Sequence, residues 1–293
     1  MRLLLAAAAL AALTVVGCGG DDEDERIGVV HAAILPVDYP CADSFADVYG
    51  PSKGLPPFDD AQRGELTNCA RDGTIDADTV AADQEADAMI APELRDVDVY
   101  RIAYRTERLA QGAGQRDAKA TAVVLVPHGA RSDDVLVVWG HGSIGMGPQC
   151  DSAGAAPGDY ESSQPLAIAA EGWITVVPDL AGFGDPAAMQ GYLSAEDEAH
   201  SMLDATRAAA ELFMRADSNP FKVVLAGVSQ GGNSVLAAQA LDPSYGHAGD
   251  IVAVAAFAPM WFPIRLLAGD ELEGVYDPLE IPQLELSRTL WYF

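Results

Sequence analysis

Apolar and polar positions divide the chain into three regions with different patterns. Residues 3–16 form one continuous apolar stretch. Residues 26–93 are rich in Asp, Ala, Gly and Pro and have weak periodicity, which indicates an irregular N-terminal extension. From residue 97 onwards, short apolar runs alternate with segments of helical periodicity. This alternation predicts an α/β fold with a mostly parallel sheet and helices on both faces.

The predicted strands fall into two groups. The first two have alternating apolar and polar residues and are separated by residues 111–114, which predicts an antiparallel hairpin. The later strands are continuous apolar runs, as expected for strands buried on both faces. The predicted strands comprise residues 97–105, 119–126, 135–139, 173–177, 222–226 and 251–257, and the predicted helices comprise residues 165–171, 195–215 and 231–241.

The C-terminal residues 260–293 form an apolar segment dotted with acidic residues. It contains large apolar side chains such as Trp261, Phe262 and Trp291. Such a segment suits the start of a lid or cap that meets an apolar substrate. An equally good alternative is that these residues pack against strands encoded beyond Phe293. We therefore expect the predicted core, residues 96–259, to be incomplete in this sequence.

The charge of the chain is strongly negative. It has 44 acidic and 17 basic residues among 293, which gives a formal net charge of −27. A field of this sign repels phosphate backbones, so we expect no nucleic-acid partner. The surplus carboxylates are typical of an exported protein that its charge keeps soluble, with cation binding as the alternative.

The N-terminus has the features of a signal peptide. Residues 1–17 contain one Arg, an apolar stretch too short to span a membrane, and small residues before Cys18. The run Val15-Val16-Gly17-Cys18 resembles the lipobox of bacterial lipoproteins. This resemblance implies acylation of Cys18, for example with palmitate, and an outward-facing anchor in the bacterial cell envelope. Residues 18–26 would form an acidic tether; an ordinary signal peptide would instead give a secreted protein.

The remaining cysteines are Cys41, Cys69 and Cys150. Export permits disulfides, but the odd number leaves one thiol free or paired outside this chain, and the sequence does not choose the pair. A zinc site is not expected, because the cysteines lack the spacing of about two to four residues that such sites use. We predict neither a metal nor a cofactor.

A strand, a tight turn and a helix are predicted around Ser229. Residues 227–231 read GVSQG, follow an apolar strand and precede a helical pattern. A nucleophile elbow requires this context, because it holds a strained serine at the end of a strand between glycines that leave room for the turn. Ser229 is therefore the predicted nucleophile, and the backbone amide of Gln230 is a predicted donor to an oxyanion. A nucleotide-binding turn is the alternative, but neither GxGxxG nor a Walker lysine is present.

A second glycine-rich loop follows the strand at residues 135–139. Its sequence is GHGSIG at residues 140–145. The backbone amides of Gly142 and Ser143 are the predicted second oxyanion donors, because this loop lies beside the nucleophile in such folds. We expect His141 to brace its own loop rather than to act as the general base, which normally comes from a later strand.

These motifs, in this order, resemble the secretory lipase family of α/β-hydrolases. The resemblance covers residues 135–259 and includes WGHGSIG, EGWITVVPDLAGFG, LDATRAA and VVLAGVSQGGNSVLAAQAL. It implies an α/β-hydrolase fold, a serine esterase or lipase with a Ser-Asp-His triad, and a lid over an acyl pocket. Only Ser229, Gln230 and the Gly142–Ser143 pair find matching positions. The implied substrate is a small-molecule or lipid ester.

The triad acid and base have no clear match in this sequence. The last histidine, His247, precedes the strand at 251–257 and enters it from the edge opposite the site. His31 and His128 lie outside the expected site, and we expect a surface or capping role for His200. Asp270 is a weak candidate for the acid, whereas Asp179 is expected to order its own turn.

Three alternatives to an ester hydrolase remain open. A catalytically inactive binding lipoprotein on the hydrolase fold would lack a downstream Asp and His. A different serine chemistry, either acyl transfer or peptide hydrolysis, is supported equally by the fold. A tethered structural lipoprotein would require the GxSxG context to be a coincidence.

Overall fold

The computed structural model of the chain describes residues 39–50, 60–83, 94–108, 117–129, 135–145, 160–183, 190–213 and 221–259. Within these ranges, the strands are β1 (Leu66–Ile75), β2 (Val97–Glu107), β3 (Asp117–Pro127), β4 (Val135–Gly140), β5 (Ile174–Asp179), β6 (Lys222–Val228) and β7 (Asp250–Phe257). The helices are α1 (Phe45–Val48), α2 (Ala77–Asp83), α3 (Tyr160–Ala170), α4 (Ala195–Leu212) and α5 (Gln230–Tyr245). Each of the predicted strands and helices is present.

The strands form one mixed sheet in the order β1-β2-β3-β5-β4-β6-β7. The pairs along the first half, β1 with β2, β2 with β3 and β3 with β5, are antiparallel. The pairs of β4 with β5, β4 with β6 and β6 with β7 are parallel. The antiparallel pairing of β2 with β3 confirms the predicted hairpin, and the parallel part confirms the predicted class of sheet.

Buried apolar residues lie on both faces of the sheet. Leu136 and Val138 of β4 join a cluster with Leu203 of α4, whereas Trp139 joins a second cluster with Leu166 of α3. Neighbouring residues of one strand therefore contact opposite helix layers. This arrangement explains why the central strands are continuous apolar runs.

The N-terminal extension is more regular than its sequence indicates. Residues 66–75, within the part predicted to be irregular, form β1 and pair with β2 over the length of the strand. The pairing register shifts between Leu66 and Asn68 and again between Arg71 and Gly73. These irregularities break the alternation of buried and exposed residues, so the pattern of a strand is missing from the sequence.

A disulfide joins Cys41 to Cys69 of β1. It selects one of the pairings that the sequence left open, while Cys150 lies outside the described residues. The bond closes a loop over a sequence separation of 28 residues. Disulfides of this span typically stabilise a fold by about 2–4 kcal/mol, so this one fastens the segment before α1 to the edge of the sheet.

Helix α4 is buried over more of its surface than an amphipathic surface helix would be. His200 is only 8% exposed, its Nδ1 lies 2.9 Å from the carbonyl oxygen of Glu107, and its ring stacks on Tyr245 at 4.2 Å between centroids. The expected surface or capping role of His200 is therefore wrong. The physical reason is that α4 packs against both β2 and α5. Burial also lowers the pKa of His200.

The parallel pairing of β4 with β6 brings the two candidate loops to the same edge of the sheet. Gly140, the last residue of β4, lies opposite Gly227 of β6. The segments that follow these residues therefore leave the sheet side by side. In the described part of the chain, no helix is both long and apolar enough to cross a membrane. Residues 1–38 and 260–293, with the predicted signal peptide, tether and lid, lie outside that part.

Candidate active site

Ser229 occupies the tight turn between β6 and α5. Its backbone has φ 55° and ψ −112°, in the left-handed half of conformational space that residues with side chains rarely adopt. Its backbone N–H donates to the carbonyl oxygen of Phe257 at 2.9 Å, which holds the turn against the end of β7. Its side chain forms no capping hydrogen bond with α5, unlike Ser194, whose hydroxyl accepts the N–H of Asp197 at the start of α4. The Ser229 hydroxyl is therefore not committed to capping its helix.

The turn is possible because Gly140, Gly227 and Gly231 come into backbone contact. A Cβ placed on Gly231 would lie 1.9 Å from the carbonyl oxygen of Gly140, and one placed on Gly227 would lie 2.5 Å from that of Gly231. A Cβ on Gly232 would lie 3.0 Å from the carbonyl oxygen of Phe257. Side chains at the first two positions would collide with backbone, so the start of α5 lies against the ends of β4 and β6 only with glycine there.

The two sets of predicted oxyanion donors lie on neighbouring segments. The backbone amide of Gln230 opens α5, a helix of 16 residues whose N-terminal end attracts negative charge. Gly142 and Ser143 follow β4, which pairs with β6. Gly142 is buried and Ser143 is half-buried, and the Ser143 hydroxyl is hydrogen-bonded to the Tyr192 hydroxyl at 2.8 Å. This arrangement can present backbone N–H groups to an anion from two sides.

A buried carboxylate that the sequence did not reveal lies behind the turn. Glu198 of α4 is 1% exposed and accepts hydrogen bonds from the side chains of Gln230 at 2.8 Å, Asn233 at 3.0 Å and Ser234 at 3.0 Å. Burial raises the pKa of Glu198, against the lowering effect of these hydrogen bonds. In the sequence, Glu198 resembles an ordinary acidic residue at the start of a helix, because its partners lie more than thirty positions further along the chain.

The described histidines have partners other than Ser229. Nδ1 of His141 lies 2.6 Å from the carbonyl oxygen of Gly142, and the ring packs edge-on against Phe183, in keeping with the expected role inside its own loop. His247 precedes β7 and contacts Asp242, at the sheet edge opposite Ser229. His128 faces Asp96 and Asp98 beyond the end of β3.

The two aspartates considered for the acid are placed differently. Asp179, at the end of β5, is 2% exposed and accepts a hydrogen bond from the Thr121 hydroxyl of β3 at 2.6 Å. It therefore links two strands, and its expected role in its own turn stays a prediction. Asp270 and Cys18 lie outside the described residues, as does His31. Within those residues, no cluster of His, Cys, Asp or Glu is arranged to hold a metal ion.

The sheet order and the strained serine after β6 define the chain as an α/β-hydrolase in fold. Residues 160–260 match the family model described as secretory lipase, which confirms the resemblance predicted from the motifs. No curated protein sequence gives a significant match.

Solved structures that resemble the chain include an esterase, a putative hydrolase and a lipase. The rice cell wall degrading esterase LipA from Xanthomonas oryzae is 27% identical, with a TM-score of 0.53 over 66% of this chain and 50% of that one. A putative hydrolase from Legionella pneumophila is 24% identical, with a TM-score of 0.53 over 67% of this chain and 53% of that one. Candida antarctica lipase A in its closed state is 17% identical, with a TM-score of 0.51 over 76% of this chain and 47% of that one. The chain thus spans about half the length of these proteins.

Proposed function

We propose that this protein is an exported serine hydrolase that cleaves carboxylic esters, with Ser229 as its nucleophile. The observation that carries the proposal is the backbone of Ser229, a non-glycine residue at φ 55° between a buried strand and a helix start. Such strain is costly, by about 1–3 kcal/mol, and is typically retained where it presents a reactive side chain. The match to the secretory lipase model and the likeness to an esterase support an ester as the substrate and export as the destination.

In the proposed reaction, the Ser229 oxygen attacks the ester carbonyl carbon while a general base takes the hydroxyl proton. The carbonyl oxygen becomes an oxyanion that accepts hydrogen bonds from the backbone amides of Gln230 and of Gly142 or Ser143. The alcohol leaves with a proton, and water then releases the acid from the acyl-enzyme. The residues that supply the base and its orienting carboxylate are not assigned within the described residues.

Fluorophosphonate labelling tests this proposal. We expect the purified protein without residues 1–18 to be labelled, and Ser229→Ala to reduce the labelling to background. Ser244→Ala is a matched control, because this exposed serine of α5 donates to the carbonyl oxygen of Leu241 at 2.9 Å and lies at the other end of the helix. A third sample should continue the reading frame past Phe293, because a general base encoded there would increase the rate of labelling.

The samples separate the alternatives. Labelling that depends on Ser229 only in the extended sample would place the general base after Phe293. Labelling that persists in Ser229→Ala would assign the nucleophile elsewhere. No labelling in any sample would contradict the enzyme and favour a binding protein on the hydrolase fold.

We also propose that the protein is anchored to the bacterial cell envelope through acylated Cys18, facing outward. The support is the lipobox-like run Val15-Val16-Gly17-Cys18 and the acidic residues after it. In a bacterial host, the full chain is expected to incorporate an alkyne analogue of palmitate and to sediment with membranes. Cys18→Ala should lose both properties and Cys150→Ala should keep them; incorporation that is unchanged in Cys18→Ala would contradict the anchor.

A further inference from the structure

Glu198 contacts two separate parts of the site through one carboxylate group. Oε1 accepts the side-chain N–H of Gln230 at 2.8 Å and the backbone N–H of Leu193 at 2.9 Å. Oε2 accepts from the side chains of Asn233 and Ser234, each at 3.0 Å. With 1% of its surface exposed, this carboxylate depends on these donors, because water does not reach it.

The first set of contacts fixes the start of α5. Gln230, Asn233 and Ser234 all belong to the first turns of that helix. Gln230 is fully buried, and its own backbone amide is the oxyanion donor of the proposed mechanism. The hydrogen bond to Glu198 therefore holds the residue that carries the donor, in addition to the helix behind it.

The second contact fixes the turn before α4. Leu193 has a φ of 58°, a strained value for a residue with a branched side chain, and its N–H is the one that donates to Glu198. The adjacent residue, Tyr192, is hydrogen-bonded through its hydroxyl to the Ser143 hydroxyl at 2.8 Å. Ser143 belongs to the other oxyanion segment, so the strained turn connects Glu198 to that segment through a single tyrosine.

We propose that Glu198 is a positioning residue that sets the Gln230 and Ser143 oxyanion segments relative to each other, directly on one side and through Tyr192 on the other. This inference rests on the proposed function. It adds two residues to the site, Glu198 and Tyr192, which act through Gln230 and Ser143. An oxyanion hole is effective only when its donors point to one place, so a carboxylate that contacts both halves is suited to preserve that geometry.

The substitution Glu198→Gln tests the effect of the carboxylate on both oxyanion segments, with little change of side-chain volume. A glutamine keeps one acceptor oxygen but turns an N–H group towards donors, so some of the four hydrogen bonds are lost. We expect the rate of fluorophosphonate labelling at Ser229 to fall about 10- to 100-fold, with kcat for a short-chain ester reduced by a similar factor and KM little changed.

The substitution Tyr192→Phe tests the connection to Ser143 separately from the contacts of Glu198. It removes the hydroxyl that reaches Ser143 and leaves the contacts of Glu198 intact. We expect a fall of a few-fold in the same labelling rate, which is smaller than that of Glu198→Gln. Tyr245→Phe is the matched control, because it removes a buried hydroxyl at the other end of α5, and it is expected to leave the rate unchanged.

Hydrogen exchange measured by mass spectrometry provides a readout that needs no activity. In Glu198→Gln we expect faster exchange in residues 141–145 and in residues 227–234. In Tyr192→Phe we expect faster exchange in residues 141–145 only. In Tyr245→Phe we expect no change in either segment. Normal labelling of Glu198→Gln, or faster exchange confined to residues 227–234, would overturn the proposal. If the parent protein were labelled neither as the given chain nor with its reading frame extended, the proposed function would be contradicted. The exchange pattern alone would then test the positioning role of Glu198.

Discussion

Replacement of Gly231 by alanine is expected to prevent the chain from reaching its native fold. The new Cβ would lie 1.9 Å from the carbonyl oxygen of Gly140 and 2.7 Å from that of His141. Both obstacles are backbone atoms at the end of a central strand, so no side-chain rotation relieves the clash. We expect a loss of more than about 4 kcal/mol in the free energy of unfolding, measured by urea denaturation, or a failure to accumulate soluble protein.

Gly129→Ala serves as the control for Gly231→Ala. Gly129 has a φ of 70°, yet a Cβ there would meet nothing within 4 Å. Its replacement is expected to cost about 1–2 kcal/mol, from backbone strain alone. If Gly231→Ala unfolded at the same urea concentration as Gly129→Ala, the close approach of α5 to β4 would be wrong.

Asp204→Ala is expected to destabilise the protein by about 3–5 kcal/mol. Asp204 of α4 is fully buried, accepts the Tyr245 hydroxyl at 2.8 Å and pairs with Arg207 at 2.7 Å. Alanine would leave the buried Tyr245 hydroxyl without its acceptor, and it would leave Arg207, whose side chain is 21% exposed, without its carboxylate. Urea denaturation at neutral pH measures the loss. Tyr245→Phe, which removes only the hydroxyl, is expected to cost about 1–2 kcal/mol.

The pH dependence of stability provides a second measurement on Asp204. Burial raises its pKa above the ordinary value, against the lowering effect of Arg207. The folded chain therefore holds this proton more tightly than the unfolded chain does, and the stability contributed by Asp204 decreases as pH rises through the raised pKa. Asp204→Ala should lack this component. A variant within about 1 kcal/mol of the parent at neutral pH, with an unchanged pH profile, would contradict the assigned role of Asp204.

The central sheet was predictable because burial on both faces leaves a strong local signal. Val124 and Leu125 of β3 are consecutive, yet they belong to the two different apolar clusters. The elbow was equally accessible, because its glycines and serine are neighbours in sequence and each residue type has one physical reason to be there. In both cases, the residues that determine the local structure lie within a few positions of one another along the chain.

Features that depend on distant partners were not predictable in the same way. Glu198 lies next to Asp197 and Glu196 in sequence and gives no sign that its acceptors serve residues 230–234. His200 was mistaken for a surface residue because the helix layer that covers it comes later in the chain. Strand β1 was missed because two register shifts remove its alternation. The roles of Ser229, Gln230, Gly142 and Ser143 remain predictions that the labelling experiment tests.

The Cys41–Cys69 disulfide also depends on the compartment in which the protein folds. Thiols stay reduced in most cytosols and oxidise in the compartments beyond the inner membrane. Cys69 is fully buried once the fold has formed, so an oxidant reaches it most readily while the strand is still being assembled. The oxidation state of the Cys41–Cys69 pair therefore indicates whether a given molecule folded in an oxidising or in a reducing compartment.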